Sequence, residues 1–350
     1  MPTRSPASRP WAGLLPLFLL LTLAASAARA WGPAGHQAVG AIADRLIQGT
    51  PAAKKVKALL GSNLQTASVW ADCARSVQTV GGKWVYVMDP KQVYPECAPF
   101  EKTEASKNQM VDYVRRNASL CDAVPVHSKA CRHKAYHFVD LPIQHPHYKV
   151  SAPGTAPTDL VQTLNALLAK LTKGKPAAVF NFKGDAEALR LLTHFVGDVH
   201  QPLHVGSIYL DEAGKPLDPA TEAEAKAHDN SGGNSLPFEG RNLHKSWDGI
   251  SDSLYKSLLA GQGQAEASQV PATPGDMAAW PTAWADETVA EAAKAFQDLK
   301  FGAHVKDGNP RGWPATAAEP AYRQAQQQLQ RAQIIKAGAR LAKILTTLWP

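Results

Sequence analysis

Two stretches of the sequence use the same device. In "THFVGDVHQPLH", His194 and Asp198 stand four residues apart, so on a helix both side chains leave from one face. Their neighbours Leu191, Leu192, Phe195 and Val196 are apolar, which predicts a buried turn. An imidazole and a carboxylate in such surroundings are costly unless paired or metal-bound. His204 follows six residues beyond Asp198, after Pro202 has broken the helix. "NLHKSWD" then repeats the spacing with His244 and Asp248. One such pair reads as a structural ion pair. Two pairs, joined by His204, by Asp72 beside Trp70 and by His137 inside "YHFVD", are the imidazole and carboxylate set expected for zinc. Metal sites in helical bundles draw such ligands from facing helices.

The elements that must position these residues are helical. "HQAVGAIADRLI" places Ala38, Val39, Ile42, Leu46 and Ile47 at helical spacing, and "PAAKKVKALLG" is a short helix closed by Gly61. "SVWADCARS" is a helix carrying Trp70 and Asp72. Asp159, with Gln162 three residues on, opens "LVQTLNALLAKLTKG", and Asp185 opens the strong helix "AEALRLLTHFVGDVH". "NLHKSWDGISDSLYKSLL", "TAWADETVAEAAKAF" and "AYRQAQQQLQRAQIIKAGARLAKILTTLW" supply the remaining helices. "AYHFVDLP" reads as a brief extended segment, 81–134 as irregular with short helices, and 206–240 as a long surface loop. With no sustained period-two pattern and no repeat, the expected fold is mostly α: a single-domain multi-helix bundle with long loops.

The first thirty residues hold Arg4, Arg9 and Arg29, no acid, and the apolar run "WAGLLPLFLLLTLAASAA" ending in Ala28-Arg29-Ala30. That is a cleavable secretory signal, with no stop-transfer cluster after it. It predicts a mature chain over 31–350, secreted or periplasmic and without stable membrane anchoring. Of the formal charge of +7, three units lie in the signal, leaving a mildly basic +4. Cys73, Cys97, Cys121 and Cys131 form an even, clustered set without a C-x-x-C pair. In an exported chain that predicts two disulfides, Cys73–Cys97 and Cys121–Cys131 on proximity. Asn117-Ala118-Ser119 is a glycosylation sequon. A monomer is the default expectation.

In their order, "WGPAGH", "WADCAR", "YHFVD", "HFVGDVHQPLH", "SGGN" and "NLHKSWD" resemble the zinc-dependent single-strand-specific nucleases of fungi, plants and bacteria, the type I nucleases of the phospholipase C/nuclease superfamily. The pieces run from Trp31 to Asp248, and "QIIKAGARLAKIL" resembles the last helix of that family. The resemblance implies a cluster of three Zn2+ ions in a cleft. Asp72, His137, His194 and Asp198 would hold one ion, and His204, His244 and Asp248 a second. The third would take the α-amino nitrogen and carbonyl oxygen of Trp31, His36 and the bridging Asp198. Signal cleavage would then create a ligand, because only a free amine at Trp31 has a lone pair to give. The implied chemistry is attack of a metal-bridging hydroxide on a phosphodiester, leaving 5′-phosphate products. Asp72 and Asp198 would serve it as ligands. Arg75 would stabilise charge on the phosphoryl oxygens. Phe138 would offer a stacking face, Asp140 a carboxylate for base-edge amino groups, and Asn234 a contact in the nucleoside pocket. Single-stranded DNA and RNA, with 3′-nucleotides, are the implied substrates.

Two departures stand out. The stretch between His204 and Asn234 is longer than in the fungal members, and the cysteine spacing differs from theirs. His127, His133, His145, His147, His200 and His228 match no ligand role and read as surface or supporting histidines. A zinc-dependent phospholipase C shares the implied fold and terminal Trp ligand and is the alternative reading. A secreted zinc-binding protein without catalysis is a rival of another class. Without H-E-x-x-H, a metalloprotease is disfavoured.

Overall fold

Capping residues and prolines set most helix boundaries. The computed structural model describes Met1 and residues 31–88, 94–118, 132–176 and 178–350; the expected signal peptide, His127, Cys121 and Cys131 lie outside them. Helix α1 (Pro33–Leu46) starts on a proline, whose fixed φ suits a first turn. Thr50 caps α2 (Pro51–Leu60) by accepting from Ala53 N, and Gly61 closes it at φ 65°. Two short helices follow, α3 (Leu64–Ala67) and α4 (Trp70–Ala74). The hairpin β1 (Val77–Val80) and β2 (Lys83–Tyr86) comes next, then α5 (Ala98–Glu101) and α6 (Glu104–Arg116). Thus 81–134, expected as irregular with short helices, holds the second strand of a hairpin and a thirteen-residue helix. A single turn, α7 (Arg132–Ala135), leads into β3 (Leu141–Pro142).

Helix α8 (Leu160–Lys173) begins where expected, with the Asp159 carboxylate accepting from Gln162 N. Helix α9 (Asp185–Asp198) is the axis of the molecule. Its residues 188, 189 and 191–198 are all buried, and it packs against α8, α16, α2, α4, α1 and α3. Burying each of its leucines contributes about 1.5–3 kcal/mol, which holds His194 and Asp198 in place. After α9 the chain makes the one-turn helix α10 (Pro202–Val205), then β4 (Gly206–Ser207), β5 (Tyr209–Leu210), β6 (Pro216–Leu217) and α11 (Glu222–His228). The expected surface loop over 206–240 is therefore a correction. Ile208, Tyr209 and Leu210 are buried, β4 pairs with β3, and Trp313 Nε1 donates to Asp211 O at 2.7 Å.

β7 (Pro237–Phe238) and β8 (Arg241–Asn242) form a small hairpin leading into α12 (Leu243–Asp248) and α13 (Asp252–Leu259). The single helix expected over 242–259 is thus two, broken at Gly249. Then come α14 (Gln264–Ser268), α15 (Trp280–Gln297), the pair β9 (Leu299–Phe301) and β10 (Ala315–Ala317), and α16 (Ala321–Leu348), packed along α1. The architecture is mostly α, with small two-stranded sheets. Among the described residues no helix is long and apolar enough to cross a membrane. Cys73 and Cys97 are bonded as expected. Asn117 is fully buried: its amide donates to Tyr113 O, and its oxygen accepts from Tyr136 Oη at 3.0 Å. The folded chain therefore presents no glycan acceptor there.

Candidate metal centre

Helices α1, α4, α9, α10 and α12, with the segment after α7, deliver their polar side chains to one buried place. His36, Asp72, His137, His194, Asp198, His204, His244 and Asp248 are all at most 5% exposed. The helical spacing of His194 and Asp198 brings His194 Nε2 to 3.2 Å from Asp198 Oδ2. His137 Nδ1 lies 3.1 Å from the same oxygen and 3.1 Å from His194 Nε2. Asp72 Oδ1 stands 3.9 Å from His194 Nε2 and 4.0 Å from His137 Nδ1. The opposite carboxylate oxygen, Asp198 Oδ1, is 3.2 Å from His36 Nε2. A second nest lies alongside, with His244 Nε2 at 3.6 Å from Asp248 Oδ2 and His204 Nε2 at 4.0 Å from Asp248 Oδ1.

Backbone carbonyls orient three of the rings. His194 Nδ1 donates to Ser68 O at 2.6 Å, His204 Nδ1 to His137 O at 2.5 Å, and His244 Nδ1 to Gly232 O at 2.6 Å. A carbonyl can only accept, so each ring carries a proton on Nδ1 and turns Nε2 towards the cluster. His36 stacks on His194 with ring centroids 3.8 Å apart. It fits because Gly197 has no Cβ; one there would sit 2.7 Å from His36 Nδ1.

Burial pushes His137 down to about 4, and burial with the neighbouring His204 pushes His244 down to about 3. It also lowers His36 and His204. In His194 burial is outweighed by Asp198 and Asp72, which raise it. Burial would raise Asp72 and Asp198, but the surrounding imidazoles, with Arg75 beside Asp72, hold both low. Asp248 is pushed well above the usual carboxylate range by burial and by the charges of Asp72 and Asp198, against a hydrogen bond from Gln201. The imidazoles shifted down and the carboxylates of Asp72 and Asp198 are in the ligand forms for a divalent cation. His194 and Asp248 are instead shifted towards their protonated forms and would have to release a proton to ligate.

The donor set fits metal rather than an ion-pair network. His36 Nε2, Asp198 Oδ1 and Asp72 Oδ2 are buried with no hydrogen-bond partner, although the first two are only 3.2 Å apart. Orphaned polar atoms of that kind cost about 1–3 kcal/mol each unless something bonds them. Three groups each place their ligand atoms within 4.8 Å of one another: His36, Asp72, His194; His137, His194, Asp198; and His204, His244, Asp248. His194 belongs to two of them. Placing Asp72 and His194 with His36 differs from the grouping the resemblance implies, which puts Asp198 with His36; the short His36–Asp198 distance accommodates both.

The other expected residues surround this centre. Trp31 is fully buried, and Gly32 N donates to Asp248 O at 2.8 Å, so the backbone beside Trp31 is tied to a candidate ligand residue. Arg75 lies 3.3 Å from Asp72 Oδ1 and is partly exposed. Phe138 and Asp140 line a cavity of about 550 Å3 just beyond His137. The Asp140 carboxylate points towards the Gly232 turn: a Cβ there would lie 3.5 Å from both Asp140 Oδ1 and His244 Nδ1. Asn234 sits in the same turn, but its amide donates to Ser231 O at 2.8 Å, so it shapes the turn.

The sequence reading missed Gln201. It is fully buried and donates to Asp248 Oδ1 at 2.8 Å while accepting from Leu203 N at 2.5 Å. Its signal was a polar residue between His200 and the helix-breaking Pro202. His133 and His200 are buried, which corrects their reading as surface histidines in part. His200 supports the helix packing, donating to Val196 O at 2.7 Å and accepting from Arg340 at 2.9 Å. His145 and His147 are surface residues near Asp218 and Asp286, and His228 donates to Leu210 O.

The sequence matches the family model described as S1/P1 Nuclease over residues 31–123 and 101–349. A search of curated proteins returns no match for the chain. The match runs through every residue of the buried cluster, and the helical architecture is that of the phospholipase C/nuclease fold. The chain therefore belongs to the S1/P1 nuclease family and is a phosphodiester-cleaving hydrolase.

Proposed function

We propose that the mature chain, residues 31–350 as one domain, is a secreted or periplasmic monomer that hydrolyses single-stranded DNA and RNA to 5′-phosphate products and also cleaves 3′-nucleotides. The buried His/Asp cluster with its orphaned ligand atoms carries this reading. Asp72, His137, His194 and Asp198 would hold one zinc ion, His204, His244 and Asp248 a second, and Trp31 with His36 and Asp198 a third. When bound, these dications neutralise the phosphodiester and act as Lewis acids towards it and towards water.

The protein groups do the rest. Arg75, partly exposed beside Asp72, binds the phosphoryl oxygens and stabilises their charge. Phe138 stacks on a base and Asp140 accepts from its edge. Asn234 holds the Gly232–Gly233 turn against Asp140. Removal of the first thirty residues frees the Trp31 amine beside Asp248, whose carbonyl already holds Gly32 N.

The deciding assay compares zinc-loaded protein on single-stranded DNA and on phosphatidylcholine vesicles. Cleavage of DNA and not lipid is expected; the reverse would make the chain a phospholipase C. Zinc uptake with cleavage of neither substrate, unchanged by EDTA treatment and zinc reloading, would indicate a binding protein without catalysis.

A further inference from the structure

The cavity that follows the candidate ligand His137 along the chain has an outer wall formed by α11. Its floor is Phe138, Val139 and Asp140, immediately after His137. One side is the loop 151–159, fixed by Asp140 N donating to Gly154 O at 3.1 Å. The other side is α11, which contributes Glu222, Ala225 and Lys226. At about 550 Å3 the space lies within the range of small-ligand sites.

Glu222 Oε2 accepts from Gly154 N at 3.2 Å, tying α11 to the facing loop, and Glu222 Oε1 lies 3.4 Å from Lys226 Nζ. Of the other lining carboxylates, Asp140 turns towards the Gly232 turn, and Asp159 and Asp229 are more committed than Glu222. Asp159 accepts from Gln162 N, Ala156 N and Tyr148 Oη, and Asp229 from Ser231 N. Glu222 is about half exposed (49%) and keeps accepting capacity at the cavity rim. An ionised carboxylate accepts and cannot donate, so it favours base edges with amino groups and disfavours the carbonyl edge of uracil or thymine. An acidic wall also repels phosphate, leaving the phosphate towards the His/Asp cluster and the base towards α11.

We propose that α11 is a specificity element of this nuclease, and that Glu222 selects nucleotides whose base carries an exocyclic amino group. The proposal rests on the nucleotide-cleaving reading above. Its test is binding, not turnover: calorimetric titration of the zinc-loaded mature protein with adenosine 5′-monophosphate and uridine 5′-monophosphate. The wild type should bind the adenine nucleotide more tightly. Glu222→Gln, which keeps an oxygen for Gly154 N, should lose about tenfold of that preference through weaker adenine binding, with Tm and zinc content unchanged. Lys226→Ala removes the neighbouring charge and should retain the preference. Equal affinities in the wild type, no binding of either nucleotide, or an unchanged preference in Glu222→Gln would overturn the proposal. Loss of the preference in both variants would assign it to the helix and remove Glu222 from the role. Selective binding without cleavage of single-stranded DNA would overturn the proposed function and leave this inference standing.

Discussion

The Nε2 atoms of His204 and His244 face each other across 3.1 Å, while each ring spends its Nδ1 proton on a backbone carbonyl. Burial keeps both rings neutral, so two lone pairs converge with no proton between them. A cation bound by both relieves that repulsion, and the metal-free fold carries the cost.

Chelation should therefore destabilise the protein as well as silence it. A ligand at a thousandfold excess over its Kd adds about 4 kcal/mol to folding stability, a Tm change on the order of 10 °C. Calorimetry with EDTA and then with excess zinc should show that fall and its recovery. A Tm indifferent to both would remove the metal from the centre.

Acid should act on the same rings. His137 and His244 sit at about 4 and about 3 in the fold, against about 6.5 unfolded. The unfolded chain thus binds more protons between pH 6.5 and 4, and their contribution to stability is lost as pH falls through that window. Asp248, pushed upward, works the other way, stabilising its protonated form as pH falls. Urea midpoints of metal-free protein at pH 7 and pH 5 should differ, and His244→Gln should narrow the gap. An unchanged gap would mean that His244 titrates normally.

Asp198 presents one oxygen to His36 and the other to His137 and His194. Asp198→Asn should consequently lose more zinc than His36→Ala. Equal zinc per chain in the two variants would count against a bridging carboxylate.

Gly197→Ala alters no ligand, yet its Cβ would lie 2.7 Å from His36 Nδ1 and 3.0 Å from Cε1. It should displace His36 and lower the zinc content by elemental analysis, with helicity kept. A full zinc complement would show that the ring has room to move.

Cys73 neighbours Asp72 and is bonded to Cys97 across 24 residues of sequence. Opening a loop of that length by Cys97→Ala should cost about 3 kcal/mol. Denaturant unfolding would register it, and a loss below about 1 kcal/mol would place the support for Asp72 in α9 packing instead.

Much of the centre was legible because it lies on regular structure. The four-residue spacings of His194 and Asp198 and of His244 and Asp248 have one meaning on a helix, and the Asp159 cap and the Gly61 stop are local rules. Helix α6 escaped because only Met110, Tyr113 and Val114 of its thirteen residues are buried, too few to mark a face. The 206–240 segment escaped for the opposite reason. Its Gly, Asp and Pro content signals a loop, but distant partners fix it in place: Trp313 bonds Asp211 O, and His304 N bonds Glu212 O at 2.9 Å. Asn234 was visible as a turn residue, which is how its side chain is used.

Helix α16 lies along α1, and a Cβ at Gly338 would come within 2.6 Å of Ile42. The support behind His36 is therefore synthesised after every imidazole and carboxylate of the cluster. A nascent or truncated polypeptide that stops before Ala321 leaves α1 unbacked, even with all the imidazoles and carboxylates synthesised. Any cation captured by the cluster would thereby wait for α16, and a product interrupted before that helix should stay metal-poor and loosely folded.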